Sequence, residues 1–138
     1  MNMNLQLVYP MFAMVVLTAV VLIMMFVTRV RAIRGGQMKV GYFKTYFDGQ
    51  PTDDVLKTQR HFSNLFELPV LYYAGIIVAM IIPLGGGAIQ FAAWLFVAAR
   101  VAHAFIHLGS NKLYPRMLSY ATGWLSVIAI WILILIAL

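Results

Sequence analysis

Four stretches of this sequence are apolar over lengths that only membrane spans need. They cover about residues 5–28, 60–82, 88–107 and 116–138. The first is roughly 24 residues, or about 36 Å of helix, against a hydrocarbon core about 30 Å thick. In lipid every backbone N–H and C=O must find a partner inside its own segment, so each stretch is expected to be an α-helix. Composition points the same way. The chain is 63% hydrophobic and 10% charged, whereas a soluble domain carries about 25% charged residues to cover its surface. The expected fold is an all-α membrane protein, a four-transmembrane-helix bundle, with residues 1–138 forming one domain. No charged side chain precedes Arg29 and the first apolar run is too long for the core of a cleavable signal, so the first helix is read as retained.

The basic residues predict the topology. The connection at about residues 29–59 and the start of the second helix carry Arg29, Arg31, Arg34, Lys39, Lys44, Lys57 and Arg60, and the link into the fourth carries Lys112 and Arg116. The Pro83-Leu84-Gly85-Gly86-Gly87 turn and both chain ends carry none. By the positive-inside rule both basic connections face the cytoplasm and both termini lie on the non-cytoplasmic side. The expected location is a multi-pass position in the plasma (inner) membrane of a bacterium or the endoplasmic reticulum of a eukaryote. Within the first connection, Tyr42, Phe43, Tyr46 and Phe47 are expected at headgroup level, and Asp48-Gly49 and Pro51 mark it as loop-like. The net charge of +6 is thus topological, and no nucleic acid partner is expected. The absence of cysteine excludes disulfides, a thiol nucleophile and thiolate metal sites.

Polar residues inside the helices carry the functional information. At about 100° per residue, Arg60, Asn64 and Glu67 share one face of the second helix, with His61 well off it. Arg100, His103 and His107 share one face of the third. Given the topology, both stripes lie in the cytoplasmic half of the bilayer, level with Arg116. Ionisable groups at such depth face a bundle interior or a watery cavity. One reading is that Arg100 and Glu67 neutralise each other and lock two helices together. His103 and His107 have the i, i+4 spacing of a metal pair, but no third ligand follows at a recognisable spacing and an adjacent arginine would repel a cation, so no metal is expected. A positive cavity with one acid suits an anionic ligand carrying one amine. Glutathione fits, and a lipid phosphate or an acidic metabolite fits the charges nearly as well. A channel or transporter is disfavoured because neither a broken helix nor a repeated half is evident.

The run Arg60-x-x-x-Asn64-x-x-Glu67, together with Arg100-Val101-Ala102-His103, Leu108-Gly109, Pro115-Arg116 and Tyr120, resembles the MAPEG family, the membrane-associated proteins in eicosanoid and glutathione metabolism. The resemblance spans nearly the whole chain. It implies a homotrimer of four-helix subunits that binds glutathione between neighbours near the cytoplasmic face. By position, Arg60, Asn64 and Glu67 would hold the peptide and His103 would line the site. Arg116 would stabilise the thiolate, and Arg29 or Arg31 would reach into a neighbouring subunit's site. Arg100 and His107 complete the candidate glutathione-binding set from the polar stripes. His107, Ser63 and Met117 depart from the tyrosine, arginine and serine of the family's prostaglandin synthases, and Pro69 falls earlier than their proline.

The expected function is therefore a glutathione transferase- or peroxidase-like membrane enzyme. It would add glutathione thiolate to hydrophobic electrophiles or reduce lipid hydroperoxides, taking its apolar partner, a small molecule or a lipid, from the surrounding membrane lipids. The alternatives are a non-catalytic trimer that binds an anionic lipid or metabolite, and a structural membrane scaffold.

Overall fold

A computed structural model describes residues 5–46 and 49–138, and these are all-helical. One 3₁₀ turn, Leu5–Leu7, leads into α1 (Val8–Arg34). Then follow the single-turn α2 (Tyr42–Thr45), α3 (Asp53–Asn64), α4 (Leu68–Ile81), α5 (Gly87–Leu108) and α6 (Leu113–Ala137). Four spans are long and apolar enough to cross a bilayer: Leu5–Arg34, Asp53–Ile81, Gly87–Leu108 and Leu113–Ala137. The chain is an integral multi-pass membrane protein.

Three features differ from the expected layout. First, α1 continues past Thr28 to Arg34, so Arg29 and Arg31 are helical. Cations in a last helical turn are favoured by the helix dipole, and Gly35 closes the helix by donating its N–H to the Arg31 carbonyl at 2.9 Å. Second, the second span begins at Asp53 rather than near residue 60. Thr52 is the N-cap, its hydroxyl accepting the Val55 N–H at 3.5 Å, and Asp53 and Asp54 occupy the first turn. A search for apolar runs misses α3 because it is amphipathic, burying Val55, Thr58 and His61 along one face. The connecting segment thus shrinks to residues 35–52. It is held by a small second core of Ala32, Met38, Tyr42 and Val55, with Phe43 packed against it. Of the aromatic residues expected at headgroup level, Tyr42 is buried, Phe43 half-buried and Tyr46 exposed. Phe47 and Asp48 lie outside the described residues.

Third, the second span is broken. Pro69 has no N–H to give the Leu65 carbonyl, and its ring crowds that carbonyl in a continuous helix. The chain leaves helical geometry at Glu67 (φ −95°, ψ −97°) and restarts with Pro69 in the first turn of α4, where a missing N–H costs little. The break frees backbone groups at membrane depth, and these need partners from the neighbouring helices.

The third span is the centre of the bundle. Half of its apolar window (50%) is buried inside the chain, against 17% for the first span, which therefore lies at the edge. α5 packs most extensively on α6 and also touches α1 and α3, while α4 packs on α6. Tyr72 of α4 stacks on Phe96 of α5 with ring centroids 4.2 Å apart, both fully buried. The Thr28 and Thr58 hydroxyls meet at 3.0 Å and join α1 to α3, a polar bond of the kind that links helices in lipid. Gly75 allows the closest approach of α4 to α6, because a Cβ there would sit 2.9 Å from Ile130 Cγ2 and 3.3 Å from Trp131 Nε1. Gly75→Ala is accordingly expected to destabilise the bundle by about 1–3 kcal/mol through overpacking. A thermal unfolding midpoint in detergent equal to wild type would show that α6 yields without cost.

Candidate functional site

The polar residues gather around the break in the second span. Asn64, the last residue of α3, uses both ends of its amide. Its Oδ1 accepts from Arg100 Nη2 at 2.5 Å, and its Nδ2 donates to Glu67 Oε2 at 3.1 Å. The same Arg100 nitrogen reaches the Asn64 carbonyl at 3.4 Å. A guanidinium thus satisfies a carbonyl at the broken end of α3, where the dipole favours a cation. Arg100 and Glu67 do not form an ion pair. The glutamate is exposed while Arg100 is fully buried, and Asn64 stands between them. Arg100 also lies over the Tyr120 ring, 5.8 Å from its centroid, and its Nε and Nη1 have no hydrogen-bond partner.

A second group ties α5 to α6. His103, 6% exposed, approaches the Arg116 carbonyl at 3.1 Å and the Ser119 hydroxyl at 3.2 Å through Nδ1. A carbonyl only accepts, so Nδ1 carries the proton. Ser119 donates to the same carbonyl at 2.9 Å. At the other end of the side chain, Arg116 Nη1 donates to Asn111 Oδ1 at 2.6 Å. From Arg116 an open groove of about 580 Å³ runs along α6, with His103 and Tyr120 at its polar end and Met117, Ala121, Trp124 and Leu125 along it. The groove's surface is almost wholly apolar, and Arg116 borders its start.

The structure brings Asn64, Glu67 and Arg100 into one hydrogen-bonded chain, and His103 and Arg116 into another. His61 packs against the second group. It is fully buried on α3 and lies face to face with His103 (centroids 5.5 Å apart) and beside His107 (5.2 Å). Among the described residues neither of its ring nitrogens has a hydrogen-bond partner. Arg60, next to His61 in α3, is exposed and within electrostatic reach of half-buried His107. Arg29 and Arg31 are not joined to these groups. Arg29 bends to its own connecting segment, with its guanidinium 5.1 Å from the Phe43 ring centroid and Nη2 3.4 Å from the Tyr46 hydroxyl. Arg31 points outward, exposed. Among the described residues no group of His, Asp and Glu is placed to hold a metal ion.

Sequence reasoning passed over His61, Asn111 and Ser119. His61 is off the Arg60 face, but it extends the buried face Val55, Thr58, Leu65, a signal available once α3 is started at Asp53. Ser119 lies one turn after Arg116, where its hydroxyl can return to that carbonyl. Asn111 carries no helical periodicity, because it sits in the link between helices.

No arginine among the described residues is ion-paired with a carboxylate. Each one that is held is held by a neutral group: an amide, a phenol or an aromatic ring. Such partners orient a guanidinium and leave its charge free for an anion.

Compared with known families, the chain matches the model of the MAPEG family over residues 7–136. Among curated proteins and among solved structures, none matches.

Proposed function

The chain belongs to the MAPEG family, and from that premise we propose that it is a homotrimeric, glutathione-dependent membrane enzyme with Arg116 as its thiolate-stabilising residue. The observation that carries this reading is the pairing of Arg116 with a neutral acceptor, Asn111, at the head of an apolar groove. A carboxylate would neutralise such an arginine. One held by an amide keeps its full charge for an anionic sulfur, and cationic neighbours favour a thiolate over a thiol. Glutathione would supply that thiol when bound. The exposed carboxylate of Glu67, oriented by Asn64, suits the peptide's amine, and Arg60 suits one of its carboxylates. Arg100 is too deeply buried to touch a peptide from this subunit's surface and acts by fixing Asn64. His103 acts likewise, by holding the backbone of Arg116. His107 is half-buried, with its Nδ1 turned inward and unpaired among the described residues, and would border the site rather than bond the ligand through that atom.

The apolar second substrate would lie along Met117, Ala121, Trp124 and Leu125, reached from the bilayer, and would be a hydrophobic electrophile or a lipid hydroperoxide. In a trimer the uncovered first span provides the surface for a neighbour, and Arg29 or Arg31 would complete the site from that neighbour. Both basic connections face the cytoplasm in this reading, and both chain ends lie opposite. The membrane is the inner membrane or the endoplasmic reticulum according to host.

Titrating glutathione into the purified protein, with ultraviolet difference absorbance of the thiolate as the readout, tests the proposal. The expected result is a saturable thiolate signal and conjugation of a hydrophobic test electrophile. Saturable binding without thiolate would identify a non-catalytic binder of anionic metabolites. No binding would remove glutathione from the account.

A further inference from the structure

The link between α5 and α6 contains one residue in a backbone conformation that few side chains adopt. Asn111 has φ +50°, in the left-handed region that asparagine tolerates better than most residues. Its N–H donates to the Ile106 carbonyl at 2.7 Å, which ties it to the last turn of α5. Its side-chain oxygen, carried on this fixed backbone, accepts from Arg116 Nη1 at 2.6 Å. The other end of Arg116 is fixed as well, since its carbonyl accepts from both His103 and Ser119. Arginine loses much rotamer freedom when it binds an anion. Here the Asn111 bond removes part of that freedom in advance, and the backbone that carries the side chain is fixed as well.

We infer that Asn111 is a positioning residue for Arg116, holding the guanidinium at the start of α6, beside the groove, while leaving its charge uncompensated for a bound anion. The identity of the two atoms matters. An aspartate at position 111 would hold the same nitrogen but neutralise it. A glycine would keep the left-handed backbone and remove the acceptor. Asparagine alone of the three gives both orientation and a free charge. The inference rests on the role proposed above for Arg116, with the anion being the sulfur of a thiol peptide.

The test compares Asn111→Gly and Asn111→Asp with wild type in the full-length protein. One readout needs no glutathione: the rate at which phenylglyoxal modifies Arg116, followed by peptide mass spectrometry. The second is the thiolate absorbance with kcat and KM measured separately. Asn111→Gly is expected to speed modification of Arg116 and to lower kcat by about ten- to a hundredfold, the scale of a misaligned reacting group, with KM for glutathione little changed. Asn111→Asp is expected to slow modification and abolish the thiolate signal, because the carboxylate takes the charge. Unchanged modification and unchanged kcat in Asn111→Gly would overturn the inference. Faster modification in Asn111→Gly with no thiolate in wild type would support the positioning role and overturn the glutathione reading alone.

Discussion

Arg116→Ala is expected to remove the thiolate absorbance and lower the conjugation rate by about 10²- to 10³-fold, the usual effect of deleting one preorganised donor to a developing anion. The local fold should survive, because what holds the start of α6 to α5 at this point is the backbone carbonyl of residue 116, which accepts from His103 and Ser119. Alanine keeps that carbonyl. The thermal unfolding midpoint should therefore move little while the chemistry fails, which separates loss of charge from loss of structure. Arg116→Lys restores a charge without the planar fork that bonds Asn111 and still faces the groove, so partial recovery is the expected result. Full activity in Arg116→Ala would end the assignment, whatever the affinity for glutathione.

Arg100 is expected to behave in the opposite way, with stability the first property lost. It is the largest fully buried side chain, and its Cδ would lie 3.7 Å from a Cβ built on Gly123, so its stem fills space between α5 and α6. Arg100→Ala would leave a cavity there and strip Asn64, at the broken end of α3, of its donor. The two effects together are expected to cost about 3–5 kcal/mol. Arg100→Met refills the space without a charge, and replacing a buried charge with an apolar side chain of similar volume is often neutral or stabilising. Methionine is thus expected to restore most of the unfolding midpoint but not the glutathione affinity, since Asn64 and Glu67 lose their orientation. If the alanine and methionine variants both unfold like wild type, Arg100 is not the brace described here.

The broken second span shows where local sequence patterns stop being informative. Pro69 is plain in the sequence, but a proline in a long apolar run reads equally as a kink or as the first turn of a new helix. What decides is whether a neighbour can satisfy the broken end of α3, and that neighbour, Arg100, bonds the Asn64 carbonyl from 36 residues away. The same holds for Arg100 and Glu67. Opposite charges at equal depth suggested mutual neutralisation, whereas the packing inserts the Asn64 amide between them. The extent of α3 escapes a search for apolar runs for a simpler reason, since an amphipathic helix leaves no long one.

By itself the sequence determined that this chain crosses a membrane four times and that its polar residues fall on two helix faces. Both follow from local physics, the need to satisfy the backbone in lipid and the fixed angle between successive residues. Family membership was legible too, because it rests on residue types at set spacings. Only the tertiary structure decided which partner each polar group takes. It placed His61 in the polar centre, gave Asn64 to Arg100, and held Arg116 between His103 and Asn111. Hydrogen bonds act over about 3 Å, and which atoms come that close is set by how helices pack rather than by any pattern along one of them.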